Sequence, residues 1–243
     1  LFPTGRSGMQ RITVGAWRRE EGGPMQVVSG PIGRETVHFE APDFSKLPEE
    51  MSQFLAWFEQ PDATDPVIRA ALAHLWFVTI HPFDDGNGRI GRAIADMALA
   101  RSEGSAQRFY SMSAAIRQRR KYYYDALEKT QKNGLDITDW LLWFLDCLDG
   151  AITRSESILD GIFVKARFWD AHRDAPLNDR QRLMIGKLLD GFEGKLNTSK
   201  WAKINKCSPD TALRDIDALI GLGILEKEPG GGRSTSYMLR REA

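Results

Sequence analysis

The chain has little of what would mark it as secreted, membrane-spanning or drawn to polyanions. Only two of its 243 residues are cysteine. Cys147 and Cys207 stand far apart in helix-like sequence, so they read as reduced core residues rather than a disulfide or a metal pair. Lys plus Arg and Asp plus Glu both number 33, giving a formal net charge of +0, so no global field points to nucleic acid or an anionic membrane. No apolar run approaches the length of a membrane span, and no signal-peptide pattern occurs. These absences exclude a disulfide scaffold and predict a cytoplasmic protein. The length suits a domain of moderate size followed by a small second one.

What the chain does have is concentrated in twelve residues, His81-Pro82-Phe83-Asp84-Asp85-Gly86-Asn87-Gly88-Arg89-Ile90-Gly91-Arg92. A histidine can take a proton near neutral pH. Asp85 can hold Mg²⁺ through oxygen, while Gly86 and Gly88 let backbone N–H groups approach an anion. Arg89 and Arg92 lie three apart and share one face of a helix, where they can clamp one phosphate chain. The combination predicts a phosphate-handling site. Taken alone, His81 would more often be structural; its place before Pro-Phe, four residues from Asp85, reverses that reading.

The segment resembles the signature of the Fic family, HPFx(D/E)GNGRxxR, at every fixed position. The resemblance extends over roughly residues 25 to 150. Upstream, Ala70-Ala71, His74, Phe77 and Ile80 lead into His81 as the helix before such a motif does. Downstream, Arg120, Tyr123, Tyr124 and Leu127, then Asp136-Ile137-Thr138 and Trp140, match further family stretches. The resemblance implies a mainly α fold, a helical bundle with a β-hairpin flap over the active site. It implies that His81 deprotonates a hydroxyl of a target protein, which attacks the α-phosphorus of ATP and releases pyrophosphate. Asp85 would hold Mg²⁺, and Gly86, Asn87, Gly88, Arg89, Ile90, Gly91 and Arg92 would surround the nucleotide, with the Asn87 amide beside the backbone donors. Asp84, variable in the family, is expected to be solvated, and Phe83 to anchor the loop in the core. Tyr123, with Gln131 two turns on, is the aromatic matched to the adenine, in competition with core packing. Thr36, Val37, His38 and Phe39 are nucleotide neighbours by a looser alignment. Self-modification and a homodimer are further partner expectations. Other phosphate-linked donors, or removal of AMP, are alternative chemistries.

Many members of the family carry an inhibitory helix, (S/T)xxxE(G/N), whose Glu engages the second arginine. Glu21-Gly22, Glu103-Gly104 and Glu193-Gly194 are the pairs of the right kind, and none has Ser or Thr four residues earlier. The opening Leu1-Phe2-Pro3 reads like the inside of a loop, so an upstream segment with such a motif is expected.

The remaining sequence organises around the motif. Residues 24 to 42, with Ser29-Gly30-Pro31-Ile32-Gly33 between two extended runs, predict the hairpin. Leu47-Pro48 opens a helix with Met51, Phe54, Leu55 and Phe58 on one face, and Asp65-Pro66 opens a buried helix to Ile80. A third helix begins near Gly88 with Ile90, Ile94 and Met97 inward. One helix is expected over 111–132 and one or two over 138–171, with Gly150 the candidate break. His172-Arg173-Asp174-Ala175-Pro176 then sets a boundary between a domain of residues 1–175, with its catalytic loop at 81–92, and one of 176–243. Three helices and a hairpin in the second domain predict a winged helix. Its third helix holds Arg214 against Asp210, Asp215 and Asp217, a poor composition for the major groove. Arg233 in the wing and Lys200, Lys203 and Lys206 are the cations left to meet phosphate. A DNA-binding regulator with a nucleotide-sensing domain is therefore the second reading.

Overall fold

The computed structural model describes residues 1–2, 4–7, 10–19, 24–31, 33–60, 62–104, 108–229 and 235–240, of Gln10 only the backbone. Glu21 and Gly22, Ile32 at the hairpin tip, and Gly230 to Ser234 in the wing, Arg233 among them, lie outside the described residues. The described chain is mainly helical and forms two compact units, Leu1–Ile158 and Leu159–Ala243.

The first unit opens with short antiparallel strands β1 (Arg6–Ser7) and β2 (Gln10–Arg11). The flap hairpin follows as β3 (Gln26–Ser29) and β4 (Thr36–Glu40), antiparallel, with a register shift between Val27 and Val28. Helices α1 (Leu47–Glu59), α2 (Pro66–Ile80), α3 (Asn87–Glu103), α4 (Met112–Gln118), α5 (Arg120–Lys132) and the part of α6 (Thr138–Ala171) up to Ile158 complete it. Helix α2 starts where the sequence says it should. The Asp65 carboxylate accepts from the amides of Val67 and Ile68 at 2.9 and 3.2 Å, and Pro66 occupies the first turn, where no amide donor is needed. Its residues Ala70, Ala71, Ala73, His74, Phe77, Val78 and Ile80 are buried, the pattern of a helix enclosed on most sides. Around it pack Phe54, Phe58, Trp140, Phe144 and Leu99. Trp140 also donates from Nε1 to the Ala71 carbonyl at 2.9 Å.

Three local expectations need correction, and one left open is decided. Met97 and Leu55 are exposed; Ile90 and Ile94 pack on the core as expected, and the buried positions of α3 after Asn87 are Leu99 and the small Gly91, Ala95 and Ala98, which let it lie close to α2. Residues 111–132 form two helices, because the Arg119 amide bonds to both Ala115 and Ile116 carbonyls and ends α4 in a tightened turn. Gly150 does not break α6. One interior glycine costs only about 1 kcal/mol against alanine, and the Arg119 guanidinium would sit 3.2 Å from a β-carbon there.

The second unit contains α7 (Asp179–Leu189), α8 (Thr198–Asn205), α9 (Pro209–Gly221) and the antiparallel pair β5 (Leu225–Lys227) and β6 (Tyr237–Leu239). The division from the first unit falls within α6, and the sequence break at His172 to Pro176 follows that helix's end. Met184, Ile185, Trp201, Ile216 and Leu219 form its core. Asp215 of α9 is buried and accepts from Arg180 Nε and Nη2 at 2.6 and 2.9 Å and from Asn178 at 2.9 Å. One of the three aspartates of that helix is therefore an internal anchor.

Candidate active site

The twelve-residue motif lies between α2 and α3, and both helix ends are set by left-handed residues. His81 ends α2 at φ 51°, ψ 55°. Gly86 precedes α3 at φ 89°, a conformation glycine adopts without steric penalty. Between them Asn87 braces the loop. Its Oδ1 accepts from the Phe83 amide at 3.0 Å and its Nδ2 donates to the Phe83 carbonyl at 2.7 Å. The Asn87 side chain is buried, so its amide closes the loop instead of serving as a donor beside the backbone. Phe83 packs on the core near Phe77.

His81 is half-buried, and its Nδ1 lies 3.2 Å from the Val78 carbonyl. A carbonyl can only accept, so Nδ1 carries the hydrogen and Nε2 is the basic nitrogen. Burial holds the His81 pKa below the ordinary imidazole value; the Val78 carbonyl and Asp85 oppose that, and Arg18 adds to it. The imidazole is therefore neutral near pH 7, the state a proton acceptor needs.

The two acidic residues differ. Asp84 is not solvated as expected: its Oδ2 accepts from the Thr13 amide at 2.7 Å, which fastens the N-terminal segment to the loop. Asp85 stands closer to α3. It accepts from the Ser7 hydroxyl and the Gly86 amide, and Arg89 lies 3.8 Å away. Among the described residues no group of three acidic, histidine or cysteine side chains is assembled for a metal. A magnesium ion that keeps its waters and bridges phosphates needs one or two carboxylates, and half-exposed Asp85, which lines the cavity over the loop, could supply one.

A cavity of about 720 Å³ opens over the loop. Of the expected site residues, His81, Asp85, Gly86, Asn87, Gly88, Arg89, Arg92, Tyr123, Gln131, His38 and Phe39 line it. Ile90 and Gly91 do not; Ile90 packs on the core and Gly91 is buried against α2. Thr36 and Val37 are exposed at the tip end of β4 and stand outside the cavity wall. In the first turn of α3 the amides of Asn87 and Gly88 have no intrahelical acceptor, so the positive end of the helix faces the cavity.

Tyr123 packs in the core, the use that competed with its match to the adenine. It is buried, with its hydroxyl 3.0 Å from His74 Nε2, and it also borders the cavity. Tyr122 and Tyr124 are exposed. Gln131 donates to the Thr79 hydroxyl at 3.1 Å. His38 ties the flap to α5: Nε2 lies 2.6 Å from Ser29 Oγ on β3, and Nδ1 lies 2.6 Å from Glu128. One imidazole thus joins both flap strands to the opposite wall.

Sequence reasoning missed Ser7, Thr13, Arg18 and Glu128. Each acts through a partner distant in sequence, and no local pattern marks such residues.

Residues 6–99 match the model of the Fic/DOC family. A protein adenylyltransferase Fic of Culex quinquefasciatus is 36% identical over 101 residues, which cover 41% of this chain and 19% of that protein. A protein adenylyltransferase fic-1 of Caenorhabditis briggsae is 33% identical over 96 residues, 39% of this chain and 18% of that one. The chain thus spans about a fifth of the length of the curated relatives it matches. Among solved structures, a Fic family protein from Desulfovibrio desulfuricans G20 is alike in fold, with a TM-score of 0.52 and 21% identity, over 97% of this chain and 65% of that one. The segment that carries the histidine, the loop and both arginines therefore belongs to the Fic/DOC family.

Proposed function

We propose that this chain transfers AMP from ATP to a hydroxyl side chain of a protein, its own included. The observation that carries the reading is the neutral His81, with Nε2 unbonded to its own backbone, on the wall of one cavity with the α3 amides and two arginines. Nε2 takes the acceptor's proton as its oxygen attacks the α-phosphorus, and pyrophosphate leaves. Such a base contributes roughly a hundred- to ten-thousandfold; alignment by the loop supplies much of the rest. Arg89, Arg92 and the first-turn amides of α3 hold the polyphosphate and receive charge that moves onto the leaving group. Magnesium, held by Asp85, would neutralise phosphate charge. Tyr123 and Gln131 border the nucleoside end, and the flap strands offer main-chain donors and acceptors to an extended acceptor segment.

Relatives named protein adenylyltransferase support the reading. The absence of any membrane-spanning helix among the described residues accords with a cytoplasmic setting. In the second unit, three helices and a two-stranded sheet support a winged helix. With Asp215 taken up internally, exposed Arg214 still faces exposed Asp210 and Asp217, so docking of protein is favoured there over DNA.

Incubation with ATP labelled at the α- or the γ-phosphate, together with lysate and Mg²⁺, tests the proposal. Label from the α-position should appear on protein, with the mass of AMP on a Ser, Thr or Tyr. Transfer of the γ-label, or no protein labelling with ATP, would sink it.

A further inference from the structure

We infer that Arg18 is a positioning residue that holds the His81 backbone in the geometry its imidazole needs. The inference rests on His81 as the base. Arg18 is 7% exposed, far from the motif in sequence, and follows the irregular segment after β2. Its Nε donates to the His81 carbonyl at 2.9 Å. Its backbone amide donates to the Pro82 carbonyl, also at 2.9 Å. Its Nη2 donates to the carbonyl of Pro42, just past the flap strand β4. One residue therefore grips two successive carbonyls of the catalytic loop and the exit of the flap.

The grip falls where the backbone resists. His81 is one of two non-glycine residues with positive φ among the described residues, a conformation that L side chains rarely adopt and that persists only when surroundings enforce it. The turn takes the His81 carbonyl out of the α2 ladder, leaving an acceptor that must find another donor. A guanidinium supplies it with a charge-assisted bond from a rigid planar fork. Burying a guanidinium is itself unfavourable unless it is well bonded, so a cation is poorly suited to this place merely as filling. The peptide between residues 81 and 82 sets the direction of the His81 Cα–Cβ bond, and Nδ1 anchoring to Val78 then sets the ring. Releasing the peptide would let the ring drift from the acceptor oxygen, whereas the groups that hold ATP, on α3 and α5, keep their own supports.

The full chain carrying Arg18→Ala tests this. The rate of α-labelled AMP incorporation, at varied ATP with a fixed lysate, gives kcat and KM, and calorimetry gives ATP affinity. We expect kcat to fall by about 10- to 100-fold, the scale of a misplacement near 1 Å, with ATP affinity within about twofold. Guanidinium added to the solution should restore part of kcat. Unchanged kcat, or kcat and ATP affinity falling together without guanidinium rescue, would overturn the inference. If Arg18→Ala does not fold, Arg18→Lys decides: lysine donates from one point where arginine donates from two nitrogens, so kcat should drop at least roughly threefold with ATP affinity kept. Wild-type kcat in Arg18→Lys would then overturn it. His81→Ala separates the two ideas. If it retains transfer, the base assignment fails and Arg18 with it. If it is inactive while Arg18→Ala is fully active, only the positioning role fails.

Discussion

Gly91 of α3 lies so close to Val78 of α2 that a β-carbon on it would come within 2.7 Å of Val78 Cγ1 and 3.3 Å of His74 Cδ2. Val78 is buried and β-branched, so it has little room to yield. Alanine in a helix interior is usually favoured over glycine by up to about 1 kcal/mol, but overpacking typically costs about 1–3 kcal/mol. Gly91→Ala should therefore destabilise the chain by about 1–2 kcal/mol in chemical denaturation. It should also lower nucleotide affinity, because the displaced end of α3 carries Arg89 and Arg92. A stability gain would mean that the helices separate at no cost.

The depressed His81 pKa gives a pH signature. The base works when neutral, and burial keeps it neutral below the ordinary value of 6.5. The acid limb of kcat should accordingly have its midpoint below 6.5, with the rate flat from there to neutral pH. His81→Ala should lower transfer by about a hundredfold or more while ATP still binds. A midpoint above 6.5 in the wild-type chain would contradict the burial argument.

Asp85 and Arg92 should separate metal from phosphate recognition. In calorimetry, Asp85→Ala should remove the Mg²⁺ dependence of ATP binding. Arg92→Ala should weaken ATP by about tenfold or more and leave AMP nearly unchanged, as expected for a charge-assisted bond of about 1.5–3 kcal/mol to the outer phosphates. Equal weakening of both ligands would assign Arg92 a structural task.

The His38–Glu128 pair predicts a coupled effect on the acceptor. His38→Ala and Glu128→Ala each free the flap from α5, so each should raise the acceptor KM by roughly two- to tenfold, the scale of one net hydrogen bond, with little change in ATP affinity. The double variant should be no worse than either one. Additive losses would show that the two residues act separately.

His74 predicts acid sensitivity of the fold. Its pKa is lowered to about 3 by burial, with Arg92 contributing, against 6.5 in the unfolded chain. The unfolded state therefore binds the extra proton first: stability is complete above about pH 6.5 and falls as pH drops towards 3. Each pH unit of that gap is worth about 1.4 kcal/mol. The denaturation midpoint should fall between pH 6.5 and 4.5, and His74→Leu should flatten that slope.

Much of this was legible in the residue order because the signals are local. Asp65-Pro66 announces a helix start through an amide acceptor and a missing donor, both within three residues. His81, Gly86 and the two arginines stand within three helical turns, so their spacing alone places them together at a helix entrance. The small residues of α3 that are buried were less legible: Met97 looks inward by hydrophobicity, yet it is exposed, while Gly91, Ala95 and Ala98 are buried. The break at Arg119 is a turn tightened by its amide on the Ala115 and Ile116 carbonyls, and the Arg119 guanidinium that a β-carbon at Gly150 would meet comes from another helix, which no window of sequence contains.

The side chains around the loop divide in the same way. Chemical identity and spacing pointed to His81 as the proposed base, Arg89 and Arg92 as the proposed phosphate clamp and Asp85 as the proposed oxygen ligand, since each is a property of a residue type at a helix end. Which nitrogen of His81 is basic, what each aspartate accepts from and what the Asn87 amide bonds to depend on partners brought in by folding. Val78 takes Nδ1, Thr13 takes Asp84, and Phe83 takes Asn87. Arg18 belongs wholly to this second kind: nothing near it in the chain distinguishes it from other arginines, and its task exists only because three carbonyls from two distant segments converge on its guanidinium and amide.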